Sequence, residues 1–411
     1  MAQPLESLKA PAAPEEAPLP YGRHSIDEAD VAAVVAALRS DLLAHGPRVG
    51  QFEAAFAAAT ESAGAAACSS GTAALHLALA ALDLQPGDVC VVPAVTFLAS
   101  ATAARFCGAE IVFADVDPRS GLMTAETLGA ALAQAGGKAR CAVPVHLGGR
   151  ICAMDEIAEV ARAKGLRIVE DACHALGGRD AVGRAVGSCA LSDAAAFSLH
   201  PVKTIAAGEG GMVSSPDPDR AARMRALANH GVTKDPRRIV DPDLSLDADG
   251  RLNPWSYEQV ELGFNYRMDE LSAALGMSQL SKLERFVRRR RELALLYDLA
   301  LEPLGPHVRT AQPGTPLQRI SPHLQQVLID FEALGVSRAE VMRRLAERRI
   351  GTQVHYIPVY RQPYFRARYG ETRLQGAEAF YARVLALPLF PTMRNQDVER
   401  VAAALAEALE L

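Results

Sequence analysis

Short apolar runs alternate with amphipathic segments between residues 65 and 215. Strands are predicted at VCVVPAVTF, EIVFADVD, ARCAVPVHL, RIVEDA, DAAAFSL and GGMVSS, and helices at AALHLALAAL and AMDEIAEVARAKG. Near-continuous apolar strands are typical of parallel strands that are covered on both faces. The alternation therefore predicts an α/β fold around a mostly parallel sheet.

The flanking segments predict further elements. Residues 1–20 are rich in Pro, Ala and Glu, which favours a flexible leader. Ser25 and Glu28 have the spacing of a capping box, so we expect the first helix to begin there. A single long helix is predicted from Met268 to Ala300. The polar insertion at 233–257 is too long for a simple turn.

A second α/β pattern follows a proline-rich connection. It consists of a strand pattern, HLQQVLIDF, and the helical patterns SRAEVMRRLAERR and NQDVERVAAALAEAL. A chain of 411 residues exceeds what one core usually supports. We therefore predict a leader over 1–20, a large domain over 21–300 and a smaller C-terminal domain over 301–411.

Composition and charge exclude several function classes. The chain is 49% hydrophobic and 22% charged, with a net charge of −5, so no affinity for nucleic acid or an anionic membrane is expected. Its seven cysteines form no CxxC pair and no zinc-like spacing with histidine, so no metal site is expected. No signal pattern or membrane-length apolar run is present, and a cytoplasmic location is the expectation.

Candidate chemistry lies just beyond the predicted strands, where α/β folds bind ligands. Gly71 and Thr72 open a helix whose amides could receive a phosphate, although taken alone the motif is better explained by an ordinary N-cap. Asp171 could hold a cationic ring nitrogen and His174 could donate a hydrogen bond, but a helix-capping turn is the alternative. Phe97 is either a core residue or a stacking ring.

Lys203 is the only formally charged side chain between Asp193 and Glu209. A solvated surface ammonium is the simple interpretation. A lysine in a cleft could instead have a lowered pKa and attack a carbonyl. A phosphate cradle, a stacking ring, a carboxylate for a ring nitrogen and a lone lysine together indicate pyridoxal phosphate chemistry.

The chain after the leader resembles the DegT/DnrJ/EryC1/StrS sugar aminotransferases, which are fold type I pyridoxal phosphate enzymes. The resemblance rests on SSGTAALHLAL, VPAVTFLASA, EDACHALG, FSLHPVKTIAAGEGGM and LGFNYRMDELSAALG. It implies a Schiff base and proton transfer at Lys203. It further implies contacts with the cofactor by Gly71, Thr72, Phe97, Asp171, His174 and Ser198. Asn265 resembles a position that reaches the cofactor of a neighbouring subunit, which implies a homodimer with shared sites.

Further segments, among them ANHGVTKDP and VHYIPVYRQPYF, resemble the subgroup that acts in the pseudaminic acid pathway. That subgroup moves an amino group from L-glutamate to the 4-keto carbon of a UDP-linked 4-keto-6-deoxy N-acetylamino sugar. His355, Tyr356 and Tyr360 are then candidates for substrate binding. The sequence departs from the subgroup at Tyr360, where histidine is frequent, and at HLQQVLIDF, where aromatic residues are frequent.

Three other functions can be compared with this interpretation. One is an aminotransferase for another nucleotide 4-keto sugar, of the bacillosamine or perosamine type. A related dehydratase is disfavoured because histidine replaces the lysine in those relatives. A non-catalytic homologue that binds pyridoxal phosphate is disfavoured because Lys203 and Asp171 are both present.

Overall fold

The computed structural model describes residues 17–311 and 314–411. The predicted leader lies outside the described residues except for 17–20. Leu19 in that short remainder is buried, and its amide donates a hydrogen bond of 2.9 Å to the carbonyl of Arg349. The chain is therefore already packed against its C-terminal half at this point.

In the described part of the chain, seven strands form the main sheet. They are β1 (Gly64–Cys68), β2 (Val89–Pro93), β3 (Glu110–Ala114), β4 (Ala139–Ala142), β5 (Arg167–Asp171), β6 (Ala194–Ser198) and β7 (Gly211–Ser215). Their order is β1-β7-β6-β5-β4-β2-β3, and β7 alone runs opposite to the other six strands. The fold is thus α/β with a mostly parallel sheet, as the alternating pattern predicts.

Helices cover both faces of this sheet. They are α1 (Glu28–Leu38), α2 (Pro47–Thr60), α3 (Gly71–Ala80), α4 (Leu98–Phe106), α5 (Ala125–Gln134), α6 (Met154–Ala163) and α7 (Pro218–Ala228). The polar insertion contains α8 (Pro242–Ser245) and is bounded by the paired short strands β8 (Val232–Thr233) and β9 (Glu258–Gln259). Next come α9 (Glu270–Leu280) and α10 (Leu283–Leu301).

Two local predictions are wrong. The first helix is capped by Asp27, whose carboxylate accepts from the amides of Ala29 and Asp30, rather than by Ser25. The single helix predicted from Met268 to Ala300 is divided between α9 and α10 at Lys282. The Lys282 ammonium contacts Asp30, at 2.9 Å, and Asp27, so the break is tied to the acidic first turn of α1.

A smaller antiparallel sheet lies in the C-terminal part. Among the described residues its strands are β10 (Val308–Thr310), β11 (Gln325–Ile329) and β12 (Val384–Leu387), with β11 in the middle. The accompanying helices are α11 (Arg338–Glu347), α12 (Pro363–Tyr369), α13 (Gln375–Arg383) and α14 (Asn395–Leu409). The end of α10 packs into this second core through Leu293, Tyr297 and Leu301. No helix among the described residues is long and apolar enough to cross a membrane.

Candidate active site

A cavity of about 560 Å³ lies beyond the carboxyl ends of β2, β5 and β6. It is closed on the other side by the 353–357 segment of the C-terminal part. The cavity brings together most of the residues that the sequence singles out: Gly71, Thr72, Phe97, Asp171, His174, Ser198, Lys203, His355 and Tyr356. Distant segments of the chain therefore converge on one site, as the strand-end argument predicts.

Asp171 ends β5 and is 5% exposed. One carboxylate oxygen accepts a hydrogen bond of 2.6 Å from the hydroxyl of Ser100, and the other accepts one of 3.2 Å from the amide of Cys173. Both oxygens are therefore held by the protein. A buried carboxylate in this setting is a suitable partner for a cationic ring nitrogen.

Lys203 lies in the turn that follows β6, where its amide donates a hydrogen bond of 2.8 Å to the carbonyl of His200. Burial lowers the pKa of the Lys203 ammonium, and the carboxylate of Asp171 and the thiol of Cys173 oppose this shift only in part. The lowered pKa makes the neutral, nucleophilic amine more accessible near neutral pH. This environment disfavours the interpretation of Lys203 as a solvated surface ammonium.

The ring of His174 has a defined hydrogen-bond arrangement. Its Nδ1 accepts a hydrogen bond of 3.1 Å from the amide of Gly148, so the proton of the neutral imidazole lies on Nε2. That Nε2 is 3.4 Å from the hydroxyl of Tyr356. Burial, followed by the charge of Lys203, lowers the pKa of His174 well below its usual value. His174 is therefore a neutral hydrogen-bond donor toward the cavity.

The first turn of α3 lies against the end of β6. Ser70 caps the helix by accepting a hydrogen bond of 3.1 Å from the amide of Ala73. A β-carbon on Gly71 would come within 2.7 Å of the β-carbon of Ser198, so only glycine permits this close packing. The free amides at the start of α3 and the hydroxyls of Thr72 and Ser198 border the same end of the cavity. Such a helix N-terminus favours an anion.

Aromatic rings form one wall of the cavity. Phe97 is 54% exposed and is therefore not a core residue. Its ring centroid lies 5.9 Å from that of Tyr356. A flat ligand could stack on the exposed face of Phe97.

The structure does not bring Tyr360 and Asn265 into the cavity wall. The ring of Tyr360 is buried against Phe113, and its hydroxyl donates a hydrogen bond of 2.7 Å to Glu378. These contacts make it a core residue, and its position does not support the predicted substrate contact. Asn265 is exposed and forms a bridge with Asn229, away from the cavity.

Several cavity residues were not assigned a role from the sequence. Tyr21, His323 and Gln353 also line the cavity, and Ser100 holds Asp171 from the neighbouring helix. Tyr21 and His323 lie far from the strand-end motifs in sequence. His323 lies in the polar stretch SPHLQQ just before β11, which gives no sequence signal of a site.

Comparisons with known proteins agree with this geometry. Residues 24–406 match the family model of the DegT/DnrJ/EryC1/StrS aminotransferase family. The chain belongs to this family. It is 36% identical over 401 residues to the spore coat polysaccharide biosynthesis protein SpsC of Bacillus subtilis, covering 95% of this chain and 97% of SpsC.

Solved structures of similar fold also belong to aminotransferases. Helicobacter pylori PseC, an aminotransferase of pseudaminic acid biosynthesis, is 25% identical with a TM-score of 0.84, covering 96% of this chain and 100% of PseC. DesI, solved with its TDP-sugar product, is 32% identical with a TM-score of 0.81, covering 95% of this chain and 93% of DesI. The protein is accordingly an aminotransferase with the fold type I architecture that the motifs imply.

Members of the DegT/DnrJ/EryC1/StrS aminotransferase family depend on pyridoxal phosphate, and this is the cofactor of the chain. The residues that line the cavity fit pyridoxal phosphate. Gly71, Thr72 and Ser198 line the cavity at the N-terminus of α3, which suits a phosphate. Asp171 and Lys203 offer a carboxylate and a desolvated amine in the same cavity.

Proposed function

We propose that this aminotransferase acts on a nucleotide-linked sugar. Its reaction would move an amino group from L-glutamate to the 4-keto carbon of a UDP-linked 4-keto-6-deoxy N-acetylamino sugar of the pseudaminic acid pathway. The observation that carries the proposal is the pairing of a desolvated Lys203 with an anchored Asp171 in one cavity. The choice of sugar is supported by the motif resemblance and by the likeness to PseC over 96% of the chain.

In this proposal the residues of the cavity have separate tasks. Lys203 holds the cofactor and moves the proton, first at the α-carbon of the amino donor and then at C4 of the sugar. Asp171 binds the ring nitrogen, and His174 donates from Nε2 to the ring hydroxyl. When bound, pyridoxal phosphate supplies an electron sink for the carbon that loses its proton. Phe97 packs on the ring face.

The other end of the cofactor would be bound through its phosphate. Gly71, Thr72 and Ser198 receive this group at the start of α3. His355 and Tyr356 contact the substrate, because both line the same cavity as Lys203. Tyr360 has no part in this proposal, since its hydroxyl is bonded to Glu378.

We also propose that the enzyme is a homodimer with shared active sites. Asn265 is exposed outside the cavity, as a residue that serves a second subunit would have to be. Large apolar side chains are exposed along and after α1, in the polar insertion and just beyond it, namely Val31, Leu38, Leu42, Leu43, Trp255, Tyr257 and Leu262. Where exposed apolar residues form a contiguous patch, they favour a protein interface. Light scattering of the purified protein measures its mass; a monomer would contradict the dimer.

The alternative is another nucleotide 4-keto sugar, of the bacillosamine or perosamine type. It is supported by the 32% identity to DesI, whose structure contains a TDP-sugar product. Substrates of this kind differ in the nucleotide and in the configuration of the ring, and they share the same requirement for Lys203 and Asp171. Only a direct comparison of sugars separates them.

The deciding experiment loads the enzyme with pyridoxamine phosphate and adds one keto sugar at a time. The L-arabino UDP-4-keto sugar and its D-xylo epimer are compared by the return of the pyridoxal absorbance and by the mass of the amino sugar. A response to the L-arabino sugar alone supports the proposal. A response to the D-xylo sugar alone selects the bacillosamine-type alternative, and silence with both epimers rejects both sugars.

A further inference from the structure

Gln326 is a buried glutamine that contacts two separate parts of the active-site frame. It is the second residue of β11 and is 1% exposed. Its side-chain oxygen accepts a hydrogen bond of 2.6 Å from the guanidinium of Arg150. Its side-chain nitrogen donates one of 2.8 Å to the carbonyl of His355. The amide therefore connects a residue of the large sheet's surroundings to the 353–357 segment that closes the cavity.

Arg150 is a buried cation without an opposite charge. It is 4% exposed, and apart from Gln326 it donates hydrogen bonds of 3.1 Å and 2.8 Å to the carbonyl of Ser120. No carboxylate contacts it in the described part of the chain. Burial lowers the pKa of its guanidinium to about 10, so it is charged at neutral pH. A buried cation with neutral partners lowers stability, which indicates a role other than stabilisation.

The turn at Leu147–Gly149 packs directly on this pair of side chains. Gly148 has a φ of 68°, and a β-carbon there would come within 2.7 Å of Oε1 of Gln326 and 2.9 Å of Nη1 of Arg150. Only glycine therefore permits this close packing. The carbonyl of Gly148 also accepts a hydrogen bond of 3.0 Å from the amide of His323, just before β11. The turn and the start of β11 thus form one packed unit.

The same turn fixes the ring of His174 on its other side. The amide of Gly148 donates a hydrogen bond of 3.1 Å to Nδ1 of His174, so the proton of the neutral ring lies on Nε2. Because Gly148 contacts Gln326, a displacement of the glutamine side chain also displaces the group that orients His174. At its other end Gln326 holds the backbone between the cavity-lining residues Val354 and Tyr356.

We propose that Gln326 and Arg150 are positioning residues that hold the 353–357 segment in register with the turn that orients His174. Neither side chain lines the cavity, so both act through other residues. The inference rests on the proposed function, since it takes His174 as a donor to the cofactor and the 353–357 segment as a contact of the substrate.

This role gives a physical reason for the polar pair in HLQQVLIDF, where the sequence departs from the aromatic residues of the pseudaminic acid subgroup. Gln325 and Gln326 are consecutive on β11, so their side chains point to opposite faces of the sheet. Gln325 is 3% exposed, and its Nε2 has no partner among the described residues. Only Gln326 uses both ends of its amide, which makes Gln325 the matched control.

The test compares three variants of the holoenzyme. Gln326→Leu removes both hydrogen bonds. Gln326→Glu keeps an acceptor for Arg150 and loses the donor to His355, because a carboxyl group beside a guanidinium stays ionised. Gln325→Leu should behave as wild type, since it removes a nitrogen that has no partner.

Two measurements separate the two connections. The rate at which hydroxylamine removes the visible absorbance of the bound cofactor reports access past the 353–357 segment. The visible circular dichroism of the cofactor reports its orientation. Gln326→Leu should raise the hydroxylamine rate at least about 5-fold, because the buried carbonyl of His355 loses its partner, and should alter the dichroism. Gln326→Glu should raise the rate similarly and keep the wild-type dichroism.

The sugar half-reaction gives a third measurement. With the pyridoxamine form and the L-arabino UDP-4-keto sugar, Gln326→Glu should raise the half-saturating sugar concentration at least about 5-fold and change the maximal rate by less than about 3-fold. Arg150→Met should resemble Gln326→Leu, and the double variant should add less than about 2-fold to either single effect on the hydroxylamine rate. Independent, multiplying effects would overturn the joint role.

Thermal unfolding of each variant without cofactor shows whether the fold is kept. If Gln326→Leu does not fold, the comparison of Gln326→Glu with Gln325→Leu decides the question alone. Gln326 variants that match Gln325→Leu in hydroxylamine rate and dichroism would overturn the inference. A loss of the wild-type dichroism in Gln326→Glu would overturn the connection to His174.

The proposed function can fail separately, because hydroxylamine needs no sugar. An enzyme that shows the expected pattern with hydroxylamine but aminates neither sugar epimer would support the positioning role and reject both sugars. An enzyme whose Gln326 variants aminate the L-arabino sugar with wild-type concentration dependence and have unchanged hydroxylamine rates would support the function and reject the positioning role.

Discussion

The hydroxyl of Ser100 donates a hydrogen bond of 2.6 Å to the carboxylate of Asp171. Asp171 ends β5, whereas Ser100 belongs to α4, so two separate elements fix the position of one carboxylate. The hydroxyl of Thr96 lies 2.7 Å from that of Ser100 and extends the network. A short chain of hydroxyls thus orients the group that we assign to the ring nitrogen of the cofactor.

Ser100→Ala is expected to weaken cofactor binding about 10-fold, since a hydrogen bond to a charged group contributes roughly 1.5–3 kcal/mol. Titration of the apoenzyme with pyridoxal phosphate, followed by absorbance, measures this affinity. Thr102→Ala is the matched control, because Thr102 lies on the same helix and its hydroxyl bonds only to the backbone carbonyl of Leu98. Equal affinities in the two variants would argue against an orienting role for Ser100.

Gly71→Ala is expected to lower cofactor affinity by displacing Ser198. The added β-carbon would lie 2.7 Å from the β-carbon and 3.2 Å from the α-carbon of Ser198, which must shift together with the end of β6. Gly129→Ala is the control, because Gly129 lies inside α5 with open space around it. That control should raise stability by up to about 1 kcal/mol. Thermal unfolding with and without cofactor distinguishes a binding defect from a folding defect.

Most strands of the main sheet could be predicted, because strands that are buried on both faces consist of consecutive apolar residues. The exception is β1, whose sequence GAAAC has no β-branched or aromatic residue. It becomes a strand only because it pairs with β7. The break between α9 and α10 cannot be predicted for a similar reason, since no proline or glycine marks it and the contact of Lys282 with Asp30 is a tertiary one.

The residues of the candidate site also differ in how well the sequence predicts their positions. Asp171 and Lys203 follow strands directly, so their position at the edge of the sheet follows from topology. His323 lines the cavity from the C-terminal part of the chain, and no local sequence pattern predicts that position. Tyr360 illustrates the opposite error, because a tyrosine near cavity residues in sequence can still turn into the core.

Lys203→Ala is expected to retain cofactor and to lose activity by at least about 10⁴-fold, since both the covalent attachment and the proton transfer depend on its amine. Mass spectrometry after borohydride reduction tests the attachment; wild type should gain the mass of the cofactor and the variant should not. Substantial amino-sugar formation by Lys203→Ala, measured with an enzyme free of wild-type carry-over, would reject the assignment.

Stability should fall in mild acid because of the three buried histidines of the cavity, His174, His323 and His355. Burial lowers the pKa of each below its usual value, that of His355 to about 4. Below pH of about 6.5 the unfolded chain therefore binds protons that the folded chain does not. The stabilising contribution is complete above this pH and is lost as the pH falls toward 4, at up to about 1.4 kcal/mol per pH unit and histidine.

Urea unfolding at pH 7.5, 6 and 5 measures this loss. His355→Gln removes one of the three groups, so its free energy of unfolding should decline less steeply between pH 6 and 5 than that of wild type. His24→Gln is the control, because His24 is exposed and lies outside the cavity. If His355→Gln and wild type lost stability in parallel, His355 would not be held neutral by burial.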